Sequence, residues 1–260
     1  MADQPIRSRS TRAYQERPDY KILFEPTARR IRVAFNGTIV ADTTRAMLML
    51  ESKHLPVYYL PLEDIRQDAL TRTEHRSHCP FKGDAVYWTV TVGDRSAENA
   101  LWAYPDPFVE APDLRGYAAF YWDRMGAWFE EDEEIFGHPR DPHHRVDTIR
   151  SRRQVDVILA GETIATSRDS VFVFETGMRT RYYLPRSAVR PDILMPSDTK
   201  TVCPYKGRAS YHTVRLGDRT LRDLVWYYPQ PTAACAAIAD LVCFYEEKVD
   251  AVRVASGDGA

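Results

Sequence analysis

At 260 residues the chain is long enough for two domains, each able to bury a core of its own. Apolar residues at 44% and charged residues at 28% exclude a disordered or low-complexity chain. Lys+Arg 35 against Asp+Glu 37 leaves little net charge, which removes the electrostatic basis for non-specific binding to nucleic acid or to an anionic membrane.

An aromatic content of 12%, with 15 Tyr and 5 Trp, suits half-buried strands better than helices. The four cysteines, Cys79, Cys203, Cys235 and Cys243, are too unevenly placed for a secreted disulfide framework. No apolar run reaches the ~18 residues of a membrane-spanning helix, so no membrane partner is expected. Met1 to Tyr20 lacks the apolar stretch of a secretory signal. A cytoplasmic location with reduced thiols is the expectation.

Residues 1–19, with Arg7, Arg9 and Arg12 among Ser8, Ser10 and Thr11, read as a disordered basic tail. That tail is the one feature pointing towards nucleic acid, and a solvated segment accounts for it, so nucleic acid is not an expected partner. The first repeat unit is placed at 20–135. Ile31-Arg32-Val33-Ala34-Phe35 alternates as a half-buried strand does, and Asn36-Gly37 is a hairpin turn into Ile39-Val40. Met47-Leu48-Met49-Leu50-Glu51 fits helix and strand equally on local propensity. A later stretch decides the matter. Val171-Phe172-Val173-Phe174-Glu175 is β-branched and aromatic, and Thr176-Gly177 turns it towards Tyr182-Tyr183-Leu184-Pro185, so both copies are strands. Residues 63–71 are predicted as one short helix, with Ile65, Ala69 and Leu70 on a face and acidic residues in the first turn. Strands at 85–92 and 95–104 flank the turn Gly93-Asp94, and a last strand carries Phe120-Tyr121.

The motif Cys79-Pro80-Phe81-Lys82-Gly83 returns as Cys203-Pro204-Tyr205-Lys206-Gly207, an offset of 124. Residues 31–128 align with 155–252 without a gap, giving 29 identities in 98 positions, with Trp102/Trp226 and Cys79/Cys203 among them. The chain is a tandem duplication. The acidic run at 130–134 belongs to the first unit alone and reads as a solvated face. Residues 136–147, rich in Pro and His, read as a connector whose His138, His143 and His144 are solvated, and the second unit is placed at 148–256.

Each unit resembles the family catalogued as domain of unknown function 427. The residues that carry the resemblance are the Gly37 hairpin with Val40-Ala41-Asp42, Glu51, Tyr58-Tyr59 with Pro61, the Cys79 motif, Gly93-Asp94-Arg95, Trp102 with Tyr104-Pro105, and Phe120-Tyr121. The second unit departs at Thr166, in place of Asp42, and at Asp240, in place of Gly116. The resemblance implies a small, mostly antiparallel β domain, found mainly in bacteria, and no established activity. A nucleotidyltransferase-like label attaches to the family. The sequence offers it neither Gly-Ser with paired acidic residues at metal-binding spacing nor a phosphate-cradling Gly-rich loop.

Within the repeated motif, Pro and Gly shape a turn, and Lys82 stands near enough in sequence to activate the Cys79 thiol as a nucleophile. Cys79 and Cys203 are therefore the catalytic candidates, set against the reading that both are small buried apolar residues. His75 and His78 do not recur in the second unit, where Thr199 and Val202 stand, so a mechanism common to both units cannot use them as bases. His75, His78 and Cys79 lack the second ligand pair of a structural zinc site, and no metal is expected. Arg29/Arg153, Glu51/Glu175, Arg66/Arg190 and Lys82/Lys206 form a charged set present in both copies. They read either as ion pairs that staple the sheet or as a pocket for an anionic ligand, walled by Tyr59/Tyr183, Tyr87/Tyr211 and Trp102/Trp226.

The sequence thus predicts a mainly β protein: two homologous antiparallel β domains, barrel- or tent-like, with a short helix each, packed as a pseudo-two-fold pair. The expected function is binding of a small polar or anionic metabolite without a cofactor. A thiol-dependent or nucleotidyltransferase-like enzyme and a purely structural or interaction module are the alternatives, and oligomerisation beyond the internal pair is left open.

Overall fold

The computed structural model describes residues 9–256. The chain divides into two compact units at Asp141/Pro142. The first unit holds β1 (Ile22–Pro26), β2 (Ile31–Phe35), β3 (Thr38–Thr43), β4 (Met47–Glu51), β5 (Val57–Pro61), β6 (Leu70–Cys79), β7 (Gly83–Val92), β8 (Arg95–Ala103), β9 (Tyr117–Phe120), β10 (Ala127–Glu130) and β11 (Glu133–Ile135). The second holds β12 (Val146–Ser151), β13 (Val155–Leu159), β14 (Glu162–Ser167), β15 (Ser170–Glu175), β16 (Arg181–Pro185), β17 (Leu194–Cys203), β18 (Gly207–Leu216), β19 (Arg219–Tyr227), β20 (Leu241–Phe244) and β21 (Ala251–Val254). Strands β1 to β10 recur as β12 to β21 at the same offset of 124 to within a residue.

In the first unit, a seven-stranded sheet in the order β1-β4-β5-β9-β8-β7-β6 faces a smaller sheet in the order β11-β10-β2-β3. The second unit repeats this as β12-β15-β16-β20-β19-β18-β17 and β14-β13-β21. The large sheets end at unjoined edges, so among the described residues no barrel closes, and of the two expected forms, barrel- or tent-like, the sheets do not take the first.

Strand alternation sorts each large sheet into two buried faces. Leu48, Tyr58, Leu60, Val86, Leu101 and Phe120 point to the small sheet and pack with Ile31, Val33 and Phe35. Met49, Tyr59, Ala85, Tyr87 and Ala119 point the other way, where Tyr104 and Leu114 cover them. In the second unit, Phe172, Leu184, Val225 and Phe244 line the inner face, and Val173, Tyr183, Tyr211, Trp226 and Cys243 the outer one. Each fully buried large side chain contributes about 1.5–3 kcal/mol, so both faces hold the sheet together.

Several expectations are corrected. Residues 63–71 are not a helix: two 3-10 turns, Leu62–Asp64 and Gln67–Ala69, lead directly into β6. Leu70 pairs with Val90, and the Arg66 N–H donates to Val40 O at 2.8 Å. A helix there would forfeit both. The one α-helix among the described residues is Ala13–Glu16, and the short helical piece of each unit is 3-10, at Leu62–Asp64 and Gln67–Ala69 in the first and at Arg186–Ala188 in the second. The α-helix lies inside the predicted disordered tail. From residue 9 onward the segment is ordered: Thr11 Oγ1 donates to Pro80 O at 2.9 Å, and the Val109 N–H to Arg9 O at 2.9 Å. Residues 1–8 of that tail lie outside the described residues. The acidic run is not uniformly solvated either, because alternation in β10 turns Glu130 inward. There it accepts from the Tyr58 hydroxyl at 2.7 Å and pairs with Arg29 at 3.2 Å. Strand β12 begins inside the predicted connector. Among the described residues no helix is long and apolar enough to cross a membrane.

Candidate functional site

The turn between β6 and β7 carries the repeated Cys-Pro motif, and its closing glycine has a strict geometric role. Gly83 sits at φ +105° and Gly207 at φ +106°, and a Cβ at Gly207 would lie 3.0 Å from Gln230 O. An L side chain is disfavoured twice there, by the backbone angle and by the close carbonyl. The turn so shaped sends Lys82 back across the outer face of the large sheet.

Lys82 Nζ donates to Glu51 Oε2 at the end of β4, and the same nitrogen lies 3.9 Å from Met49 Sδ and 5.6 Å from the centre of the Tyr104 ring. Strands β5, β9 and β8 lie between β4 and β7, so this pair ties distant parts of one sheet. Each side chain is only 9% exposed. A charge so enclosed is tolerated when its partner and further hydrogen bonds are in place. The further bond comes from the approach segment: the Tyr20 hydroxyl donates to Glu51 Oε1 at 2.7 Å, while its ring stacks on Phe81 at 3.7 Å.

The second unit builds the same triad with one exchange. Lys206 Nζ bonds Glu175 Oε2 at 2.5 Å, and His144 Nε2 meets Glu175 Oε1 at 3.1 Å. The His144 ring lies 4.4 Å from Tyr205, as Tyr20 lies on Phe81. Burial alone would push the Glu175 carboxyl up. The Lys206 and His144 bonds outweigh it and hold the group below its ordinary 4.5. His144 is therefore a site residue, not the solvated connector residue its sequence context predicts. Tyr20 and His144 occupy equivalent positions, but their types differ and an identity search passes over them.

Beside the triad the first unit opens a cleft of about 690 Å³. The buried Glu51, Lys82, Tyr59 and Tyr87 form its floor, and Trp102, Tyr121, Trp122, Leu55, Pro56, His138 and Pro139 are among the residues that complete its lining. Trp102 Nε1 donates to the Tyr59 hydroxyl at 3.2 Å, Tyr87 shares a 2.6 Å hydrogen bond with Ser77, and Tyr121 packs on Trp102 at 4.5 Å. Burial pushes the phenols of Tyr59 and Tyr104 up, so these walls stay neutral. The second unit keeps the equivalents: Trp226 Nε1 to Tyr183 at 2.9 Å, Tyr211 to Thr201 at 2.8 Å, and Tyr245 on Trp226 at 4.5 Å.

Of the predicted set, the structure gathers Glu51, Lys82, Tyr59, Tyr87 and Trp102, and likewise Glu175, Lys206, Tyr183, Tyr211 and Trp226. The four arginines lie elsewhere. Arg66 pairs with Asp68 two residues on, and Arg190 with Asp192 and Glu162. Arg29 holds Glu130, and Arg153 donates to Ala255 O at 2.7 Å. Cys79 and Cys203 end β6 and β17, half-buried against the aromatic clusters. Tyr14 and Tyr20 pack on Phe81 of the same motif; burial pushes Tyr14 up to about 12 and Tyr20 higher, so both phenols stay protonated and neither serves as a base. His78 turns to Asp84 at 2.6 Å and His75 stands edge-on to Tyr87 at 4.5 Å.

Residues 23–131 and 147–255 each match the family described as Domain of unknown function (DUF427). The chain belongs to that family, with its domain present twice. No curated protein matches the chain. Both matched stretches start just after the third partner of the triad, so Tyr20 and His144 are contributed by the segments that lead into each DUF427 domain. The Glu–Lys pair and the Tyr–Trp hydrogen bond stand inside both domains.

Proposed function

We propose that the first DUF427 domain is a binding module for a small molecule with a flat apolar part and a polar end, received in the cleft above the Glu51–Lys82 pair. The observation that carries this reading is the cleft itself. Its volume of about 690 Å³ falls in the range of ligand sites, roughly 300–1,000 Å³, and its walls are aromatic around a few fixed polar groups. Tyr and Trp offer broad contact at low entropic cost, and the triad holds the floor rigid before any ligand arrives. Of the polar or anionic ligand that the sequence predicts, the anionic form has less behind it. The arginines are engaged elsewhere, and the Lys82 charge is matched by Glu51.

The test is a melting-temperature screen of the full chain against a chemically diverse panel of small molecules, repeated on Trp102→Leu. Compounds that stabilise the parent and lose most of that effect in the variant support the reading. A panel without a stabilising compound, or one whose hits act equally on both proteins, contradicts it.

A further inference from the structure

The two domains differ at the mouth of the cleft, and the difference identifies a ligand class. In the second domain, position 181 of β16 is arginine. Its guanidinium lies over the Trp226 ring at 5.4 Å and donates to both Glu247 oxygens, at 2.8 and 3.0 Å. Arg179 adds a contact to Glu247 at 3.4 Å. The Arg181 side chain is 18% exposed, so the planar cation is sandwiched, not splayed into solvent. Glu247 is held down to about 2, mainly by the Arg181 bonds, which fits a settled ion pair.

The first domain has the receiving half of this arrangement without the cation on the tryptophan; its Arg124 lies over the Tyr121 ring at 4.8 Å, as Lys248 lies over Tyr245 at 4.4 Å in the second domain. Trp102 replaces Trp226 and Asp123 replaces Glu247, while Val57 replaces Arg181 and Leu55 replaces Arg179. Val57 pairs with Met49 as Arg181 pairs with Val173, so the two side chains leave the sheet at the same register. Trp102, Tyr121, Asp123 and Val57 all border the open cleft, and Asp123 is exposed. The second domain has supplied its own occupant; the first has the aromatic face and the carboxylate on one open cleft.

We infer that the first domain takes a small planar organic cation, a guanidinium or amidinium group, stacked on Trp102 and paired with Asp123. This rests on the cleft reading above and names the chemistry of its ligand. Aromatic faces attract such cations through the ring quadrupole, and a carboxylate matches the guanidinium fork two oxygens to two N–H groups. Val57 and the shorter Asp123 leave room for a cation that is not tethered to the strand.

Titration of the full chain with agmatine and methylguanidine, followed by calorimetry, tests the inference, with methylurea and acetate as neutral and anionic controls. One site is expected, with at least tenfold preference for methylguanidine over methylurea. Asp123→Asn, a change at an exposed position, lowers the affinity at least fivefold. Val57→Arg, which restores the second domain's occupant, abolishes binding. Arg181→Val removes the second domain's own occupant from Trp226 and raises the stoichiometry from one towards two, so the inference remains testable even if Val57→Arg fails to fold. Equal or tighter binding of methylurea or acetate overturns it, as does cation binding unchanged in Asp123→Asn and Arg181→Val. If the cations do not bind while a neutral or anionic panel compound is lost in Trp102→Leu, the cation inference falls and the cleft reading stands. If nothing binds, both fall.

Discussion

Replacing Lys82 with Met tests how the floor of the cleft is held. Methionine is unbranched and of similar length, so it keeps most of the apolar bulk of the lysine stem, while the ammonium's contacts with Met49 and Tyr104 go with the charge. What disappears is the ammonium that neutralises Glu51, a carboxylate whose side chain is only 9% exposed. Removing one partner of a buried pair costs about 3–5 kcal/mol. The Tyr20 hydrogen bond to Oε1 survives and offsets about 1 kcal/mol of that, leaving a loss of about 2–4 kcal/mol. Against a typical domain stability of about 5–15 kcal/mol, such a loss is easily measured. Urea unfolding followed by tryptophan fluorescence is a suitable assay, because Trp88, Trp102, Trp122 and Trp128 lie in the first unit and Trp226 alone in the second. The companion variant Lys82→Met/Glu51→Leu removes both charges. It should recover most of the loss, since an apolar pair of similar size can replace a buried ion pair at little cost. A Lys82→Met variant within about 0.5 kcal/mol of the parent refutes the reasoning, since that is the scale of a solvated surface pair. So does a double variant whose loss equals the sum of the singles.

In the second unit the carboxyl of Glu175 is held below its ordinary 4.5. Its contribution is therefore fully present above 4.5 and is lost as pH falls through the lowered value. Near-UV circular dichroism at decreasing pH should show this loss, flattened in Glu175→Gln, and an unchanged slope in that variant contradicts it. Iodoacetamide should modify the half-buried Cys79 and Cys203 in the native protein, but Cys235 and Cys243 only after denaturation, because burial pushes both thiols up. Mass spectrometry of the labelled chain reads this directly, and native labelling of Cys243 would contradict the described burial. Gly207→Ala should destabilise the second unit by about 1–3 kcal/mol from the left-handed backbone angle, with the Gln230 carbonyl adding to it. An unchanged urea midpoint by circular dichroism would show that the turn relaxes freely.

The duplication made much of the fold legible. Met47 to Glu51 alone is ambiguous, and its β-branched copy resolves it because the two must share one backbone. Tyr59, Tyr87 and Trp102 are marked as candidate walls by their presence in both copies, and Glu51 and Lys82 stand out as charges both copies retain. Other features escaped for identifiable reasons. Arg66 and Arg190 recur, but so do Asp68 and Asp192 two residues on, and that nearer pairing accounts for them. Tyr20 and His144 fill one role with different chemistry, since a phenol and an imidazole both stack and both reach a carboxylate. Val57/Arg181 and Asp123/Glu247 differ between the copies, so residues shared by both do not mark them, and those are the positions where the two domains part company. The helix predicted at 63–71 failed because pairing of Leu70 with Val90 outweighed a weak local pattern.

The most direct test of the first-domain cleft as a ligand site is a crystal structure of the full chain grown with the best-binding compound at saturation. The account predicts the compound packed against Trp102 and Tyr121, with its polar end at Asp123 and the Glu51–Lys82 pair intact beneath it. A compound seated elsewhere on the chain while this cleft holds only solvent would contradict the account.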